Sequence, residues 1–590
     1  MLFNNQRLLG VFTFLGILIS IGFVPAVADA QLANPCTLSS VQSFAPADMT
    51  IATAIDVAAA GTLPEYCDVT GAVTTTGFGA PDGSAKFEEV LPANWNHKFL
   101  YFGCGGLCGT VGHPQSGATG TEGLSKGYAM VATDDGHSAS DPTWGFTPNA
   151  DPTLPGTPKT AALIDYFFRS EHEVAVAAKS LAESYLDGDL NESYFSGCSD
   201  GGREGLVEAY RFPDDYDGII VGDPYQTQRD ELLHVDAFAA FNKPSNPGLP
   251  IPANLMAMVN QAVYDECDAI DGVKDGLIQD PLRCNFDPAS LLCQNGNTSN
   301  CLSQAQVNAL RTYWSPLLNE EGEMVVPGFP VSDIWPPPTA PFSFVTVYDT
   351  PNVFFIAAQT LIQEVYFMTS FNANDYPILG GTIDDRALAQ FDAATWDAGN
   401  VDPRNLSEFL SDSHHRLLMY DGFSDQGLPP YQTVMFYEDL AGIDDASRDN
   451  HGHHLGGLDR IRQQARLFMV PGMEHCGGGP GPNVFDTLTP LENWVEHETP
   501  PDAIIASHYT NDNQAQPVDR TMPLCAFPEQ AQYSGSGDVN DAANWSCPEH
   551  DKTLLKLGTD GVMAGFRLDR HLLQSQFFAD EHSNRRHGSL

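Results

Sequence analysis

Positive charge is what this chain has least of. Nine lysines occur among 590 residues, and 28 basic side chains stand against 76 acidic ones, a formal net charge of −48. Such a surface repels phosphate backbones and anionic headgroups, so a nucleic-acid or membrane-surface partner has no electrostatic basis. It also stays soluble in concentrated salt. Yet only 18% of residues are charged and 42% are hydrophobic, which excludes an acidic disordered chain and supplies a large core. No internal repeat or low-complexity tract is visible. Apolar runs of near-membrane length are confined to Leu8 to Val24, behind the basic Arg7 and ahead of Pro25 and Ala28-Asp29-Ala30. That pattern is a secretory signal peptide, cleaved after Ala30, with an uncleaved anchor as the alternative; no later segment reads as transmembrane. The expected location is secreted or periplasmic, with no membrane partner once the leader is removed.

Export makes the twelve cysteines readable as disulfides of an oxidising compartment, and their number is even. Cys267/Cys284, Cys293/Cys301 and Cys525/Cys547 are close enough in sequence to be local staples. Cys104 and Cys108 lack the second pair or histidine couple of a zinc site, so they too read as a disulfide.

Short apolar runs recur at His97 to Gly103, Gly127 to Asp134, Ser193 to Gly197, Asp217 to Gly222, Arg416 to Tyr420 and Ala465 to Val470. Runs this short and apolar suit strands buried on both faces of a parallel sheet. Helical patterns at Glu171 to Tyr185 and Gly201 to Tyr210 lie between them, which predicts an α/β fold. From about Gln226 to Arg404 proline and glycine become dense and four cysteines cluster, the texture of an insertion. The expected layout is a signal peptide (1–30), a discontinuous catalytic domain (31–225 and 405–550), an inserted domain (226–404) and a C-terminal tail (551–590).

The strongest local signal is Gly197-Cys198-Ser199-Asp200-Gly201-Gly202-Arg203, between a strand and a helix. Glycines two positions either side of the serine permit a tight strand-to-helix turn that projects its hydroxyl and turns the Asp200 N–H toward an oxyanion. An alcohol needs a base, and the base an orienting acid. His475 follows the apolar run ending at Pro471-Gly472, and Asp425 lies past Arg416 to Tyr420. The order Ser199, Asp425, His475 is that of α/β-hydrolases. Asp421 is a rival acid, but the longer turn to Asp425 better allows reach to the histidine. Cys198 immediately precedes the serine and Cys476 follows the histidine, so a serine–histidine hydrogen bond would bring the two within the ~4.4–6.8 Å Cα separation of a disulfide. The glycine-rich loop Gly103-Cys104-Gly105-Gly106 fits the second oxyanion donor, from Gly105 or Gly106. Asp268-Ala269-Ile270-Asp271-Gly272-Val273-Lys274-Asp275-Gly276 offers hard oxygen ligands for Ca²⁺ on a curled backbone, though not as an EF-hand, since Gln279 stands at the twelfth position. His414-His415 and His451-Gly452-His453-His454 lack metal-site partners and read as surface loops.

Together these residues resemble the tannase and feruloyl esterase family of secreted serine esterases, which includes mono(2-hydroxyethyl) terephthalate hydrolases. The resemblance spans most of residues 36–550. It rests on GCSDGGREGLVEAYRFPDDYDGIIVGDP (197–224), CDAIDGVKDGLIQDPLRC (267–284), PGMEHCGGGPG (471–481) and the Cys525/Cys547 segment. It implies an α/β-hydrolase fold with a large inserted lid domain, Ser199, Asp425 and His475 as triad, and a Cys198–Cys476 bridge. It also implies a structural calcium held by Asp268, Asp271 and Asp275 with the backbone carbonyls of Val273 and Leu277. Two departures stand near the site: Asp421-Gly422 replaces the family's usual His-Gly, and Cys104 and Cys108 interrupt the glycine-rich loop. The implied partner is a small aromatic ester. Between Thr312 and Asp385 there is no Lys or Arg but many aromatics, among them Trp335, Phe342, Phe344, Tyr348, Phe354, Phe355, Tyr366 and Phe367. Such a lid suits a feruloyl or galloyl group. A terephthalate carboxylate would want an arginine, from Arg386 or outside the lid. A catalytically inactive calcium-dependent binding protein on the same fold is the alternative from another class.

Overall fold

A computed structural model describes residues 31–548 except 142, 148–156, 231, 234–250, 295, 297–298, 323, 335–381, 396–399 and 442–456, together with 562–563 and 566–567. Residues 1–30, the eight lid aromatics, His451, His453, His454 and nearly all of residues 551–590 lie outside the described residues. A nine-stranded sheet organises the rest. Its strands are β1 (Met49–Val57), β2 (Tyr66–Thr75), β3 (Gly83–Pro92), β4 (Lys98–Phe102), β5 (Ala129–Thr133), β6 (Glu192–Cys198), β7 (Gly218–Gly222), β8 (Arg416–Gly422) and β9 (Ala465–Val470). They are ordered β1-β2-β3-β5-β4-β6-β7-β8-β9. β1, β2, β3 and β5 pair antiparallel in sequence across the sheet, and from β5 to β9 every neighbouring pair is parallel.

The largely apolar character of β7 to β9 follows from two covered faces. Ile219 and Val221 enter one core cluster and Ile220 the other; Leu417, Met419, Leu467 and Met469 oppose Leu418, Phe468 and Val470 in the same way. Each such residue contributes roughly 1.5–3 kcal/mol by leaving water. Helix α1 (Ser170–Leu186) covers the first face with Val174, Ala178, Leu181 and Tyr185, beside Leu206 and Val207 of α2 (Asp200–Arg211). A helix at Leu488–His497 covers the second with Leu488, Leu491 and Trp494.

Between β7 and β8 the chain leaves the sheet and builds the lid, which contains α3 (Ala253–Cys267), α4 (Gln304–Tyr313) and α5 (Asp385–Thr395). Cys267–Cys284 and Cys293–Cys301 staple it, while Cys36–Cys67 and Cys525–Cys547 fasten the two ends of the catalytic unit. Among the described residues no helix is long and apolar enough to cross a membrane. His414 is exposed as expected of a loop, but His415 is buried, its ring stacked on Phe409 at 4.7 Å, because it immediately precedes the buried strand β8.

Candidate active site

Ser199 sits at the joint between β6 and α2 with φ 64° and ψ −121°, a region that costs a side-chain-bearing residue roughly 1–3 kcal/mol. The turn is held by its own backbone: the Ser199 N–H donates to Gly222 O at 3.0 Å, and Ser199 O accepts from the N–H of Arg203 and of Tyr225, each at 3.1 Å. Both flanking glycines are required by close approach. A Cβ on Gly197 would lie 2.2 Å from Gly201 O, and one on Gly201 would lie 2.7 Å from Cys104 O.

Parallel strands end on the same edge of the sheet, and the loops after β8 and β9 bring two more groups to Ser199. His475 Nε2 lies 2.8 Å from Ser199 Oγ, and His475 Nδ1 lies 2.7 Å from Asp425 Oδ2. Asp425 Oδ1 accepts the N–H groups of Gly427 at 2.6 Å and Leu428 at 3.0 Å, which fixes the carboxylate. Burial opposes a charged imidazole, but the Asp425 carboxylate outweighs it and holds His475 above its ordinary range. Asp421 turns elsewhere, accepting the Thr433 hydroxyl at 2.6 Å. Cys198 and Cys476 are bonded, with Cα atoms 6.1 Å apart, so the residues beside serine and histidine are covalently joined.

In the loop after β4, Cys104 and Cys108 are bonded into a ring around Gly105, Gly106 and Leu107. The Cys104 N–H is consumed by Glu204, whose two carboxyl oxygens lie 3.3 and 3.2 Å away. Neither Gly105 nor Gly106 N–H meets an acceptor among the described residues, and a Cβ on either would have open space. The Asp200 N–H opens α2, where no carbonyl four residues back within the helix can take it. The Asp200 side chain is committed to Arg203 at 2.6 and 3.1 Å. Glu204 escaped the sequence reading; its only signal is its place one helical turn after Asp200. The lid also touches the site: Ser424, next to Asp425, donates to Asp333 Oδ1 at 2.7 Å and lies 2.6 Å from the Ser332 hydroxyl.

The aspartate-rich loop curls through a 3₁₀ turn (Asp268–Asp271), Gly272 at φ 99° and Gly276 at φ 82°. Asp268 Oδ1 accepts from the N–H of Asp275 at 3.0 Å and of Gly276 at 3.1 Å. Asp271 binds the Val273 N–H at 3.0 Å and the Gln279 amide at 2.6 Å. Asp275 Oδ1 accepts the Leu277 N–H at 3.2 Å, whereas its Oδ2 is buried without a hydrogen bond, 3.7 Å from Arg520 Nη1. The three carboxylates do not all gather within 4.8 Å of one another.

A doubly wound sheet carrying serine on a strand-to-helix turn, with a histidine hydrogen-bonded to the serine and an aspartate to the histidine, both from loops after later strands, defines an α/β-hydrolase. The sequence model for tannase and feruloyl esterase matches residues 67–548, and the chain belongs to that family as a carboxylic ester hydrolase. It is 30% identical over 545 residues to the mono(2-hydroxyethyl) terephthalate hydrolase of Piscinibacter sakaiensis, covering 83% of this chain and 86% of that one. It is 27% identical over 474 residues to a probable feruloyl esterase B-2 of Aspergillus flavus, covering 76% and 82%. The crystal structure of feruloyl esterase B from Aspergillus oryzae superposes with a TM-score of 0.69 at 23% identity, over 86% of this chain and 98% of the other.

Proposed function

We propose that this esterase is a secreted serine enzyme that hydrolyses esters of aromatic acids through Ser199, His475 and Asp425. The observation that carries the reading is the unbroken hydrogen-bond chain from Ser199 Oγ through both nitrogens of His475 to Asp425. His475 takes the serine proton as Oγ attacks the ester carbonyl. The N–H groups of Asp200 and of Gly105 or Gly106 hold the oxyanion. The alcohol leaves with the proton from His475, and water activated by the same imidazole cleaves the acyl-enzyme. Secretion is supported by the leader pattern and by six disulfides, which persist in oxidising compartments.

The aromatic acyl group is supported by the lid segment free of Lys and Arg between Thr312 and Asp385, and by relatives named for feruloyl and terephthalate esters. Arg386, a candidate carboxylate partner, is exposed. Feruloyl and galloyl esters are therefore preferred over a terephthalate monoester, the second reading, which the 30% identical relative favours. Rates on methyl ferulate, methyl gallate, mono(2-hydroxyethyl) terephthalate and p-nitrophenyl acetate decide the matter. Ferulate or gallate should lead; a leading terephthalate monoester establishes the second reading, and activity on p-nitrophenyl acetate alone removes both.

A structural Ca²⁺ at Asp268, Asp271 and Asp275, with the carbonyls of Val273 and Leu277, belongs to the same proposal. Asp275 Oδ2, buried without a hydrogen bond, supports it, while nearby Arg520 competes for that charge. The ion would stiffen the base of the lid and supply no step of the chemistry. At a hundredfold excess over Kd, a ligand of the folded state stabilises by about 2.7 kcal/mol. Chelation should therefore lower the melting temperature by several degrees, with restoration by Ca²⁺, and Asp275→Asn should remove that response. A melting temperature indifferent to chelator and to Ca²⁺ would rule the site out.

A further inference from the structure

Two buried carboxyls behind the serine, histidine and aspartate have no part in the steps above. Asp223 directly follows β7 with φ 35°, and Asp421 lies within β8; their exposures are 0% and 1%. The fold delivers Asp223 to this place tightly. Gly222 before it admits no side chain, since a Cβ would meet the Tyr420 ring at 2.1 Å, and the Asp223 N–H donates to Tyr420 O at 2.9 Å. Asp223 Oδ1 accepts the Gly422 N–H at 2.9 Å, and Asp421 Oδ2 accepts the Thr433 hydroxyl at 2.6 Å. Asp421 Oδ1 is buried and meets no N–H or O–H donor among the described residues. A carboxyl oxygen buried without a donor disfavours the ionised form.

Asp223 also reaches the reacting groups. One oxygen of Asp223, one of Asp425 and one nitrogen of His475 all lie within 4.8 Å of one another. Other titratable groups face the same spot. Tyr420 on β8 is held neutral by burial, then by Asp223 and Asp421. Glu474, beside His475, is pushed up to about 8 by burial and by Asp333, Asp512 and Asp425. Tyr313 of α4 is raised by burial and by Asp425. Of these groups only His475 becomes positive, so it is the one that a charge on Asp223 stabilises.

We propose that Asp223 is a positioning residue for catalysis: its carboxylate stabilises the imidazolium of His475, while Asp421, buried with one oxygen unpaired, stays neutral. The proposal rests on the Ser199, His475 and Asp425 reading. Burial drives Asp421 well above the ordinary carboxyl range, and burial with repulsion from Asp425 pushes Asp223 up to about 7. The imidazolium of His475 in turn favours the charged form of Asp223. Each negative charge beside the imidazolium raises the pH at which the free base appears.

Asp223→Asn keeps the shape and a carbonyl for the Gly422 N–H but removes the charge. The acid limb of kcat/KM should then move to lower pH by about half to one unit. Asp421→Asn replaces a neutral proton donor by another neutral donor, and should leave the limb within about 0.2 unit. Asp223→Ser, smaller and uncharged, is the second variant should the amide perturb folding, and should shift the limb in the same direction. An unmoved limb in the Asp223 variants, or an equal shift in Asp421→Asn, overturns the proposal. His475→Asn separates the two readings. If that variant keeps its turnover, the triad reading falls and takes the proposal with it. If it is inactive while the Asp223 variants leave the limb in place, only the proposal falls.

Discussion

Ser199→Ala is expected to abolish labelling by a fluorophosphonate and to lower turnover of any ester the enzyme accepts by about 10⁴- to 10⁶-fold. The fold should survive. Among the described residues the hydroxyl makes one hydrogen bond, to His475, whereas the strained turn is held by backbone contacts to Gly222, Arg203 and Tyr225 that alanine can keep. Residual catalysis of roughly 10³–10⁴ over water should remain if the Asp200 and loop N–H groups bind the oxyanion independently of the nucleophile. A native protein that resists the fluorophosphonate, or an alanine variant as active as its parent, sinks the serine mechanism. The first of these outcomes would instead favour a binding protein on an inactive hydrolase fold.

The second large effect is expected from replacing Cys198 and Cys476 together by alanine. This bridge joins positions 278 residues apart, so its loss frees a very long loop in the unfolded chain. A stability cost of about 2–5 kcal/mol follows on the chain-entropy account. Function should suffer separately. The bridge ties the peptide of the nucleophile to that of the base, and a displacement near 1 Å between reacting groups costs about 10²-fold in rate. Thermal unfolding and kcat, measured on the double variant well below its melting temperature, separate the two losses. Equal stability and equal kcat to the parent would show the bridge to be incidental. Since Cys198 Sγ lies 3.5 Å from Asp223 Oδ2, the acid limb should be recorded on the same samples.

The parallel strands were legible because burial on both faces leaves an unbroken apolar word, as in Gly218–Gly222, with nothing exposed to interrupt it. β1 to β3 were not. β1 reads Met-Thr-Ile-Ala-Thr-Ala-Ile-Asp-Val, buried at Met49 and Ile51 but with Ile55 56% exposed, because it lies at an edge with little to cover its far end. Pattern alone does not separate such a strand from a loop. In the site, Ser199 was legible because its geometry is local, and His475 and Asp425 because the ends of parallel strands converge. Of Asp421 and Asp425, the one hydrogen-bonded to His475 is Asp425, and the difference is length of reach. Asp421, still within β8, is spent on Thr433, whereas Asp425 stands free of the strand. Glu204 and Asp223 were hidden for a different reason. Their partners lie 100 and 199 residues away, at Cys104 and Gly422, and no spacing within one segment encodes such a meeting.

The ring closed by Cys104 and Cys108 encloses only three residues, so it removes little freedom from the unfolded chain as a whole. Its effect is local and falls on Gly105 and Gly106, the residue type with most conformational freedom to lose. On the proposed oxyanion role of Gly105 or Gly106, an open Gly-Gly segment would have to be gathered round the developing negative charge during each catalytic cycle, and that ordering would be subtracted from transition-state binding. With the ring closed, the ordering is completed once in the life of the molecule, when the two thiols are oxidised. The oxidising surroundings that the leader and the cysteines point to would then act as the last step in assembling the oxyanion site, and the enzyme would carry that work already done into every turnover.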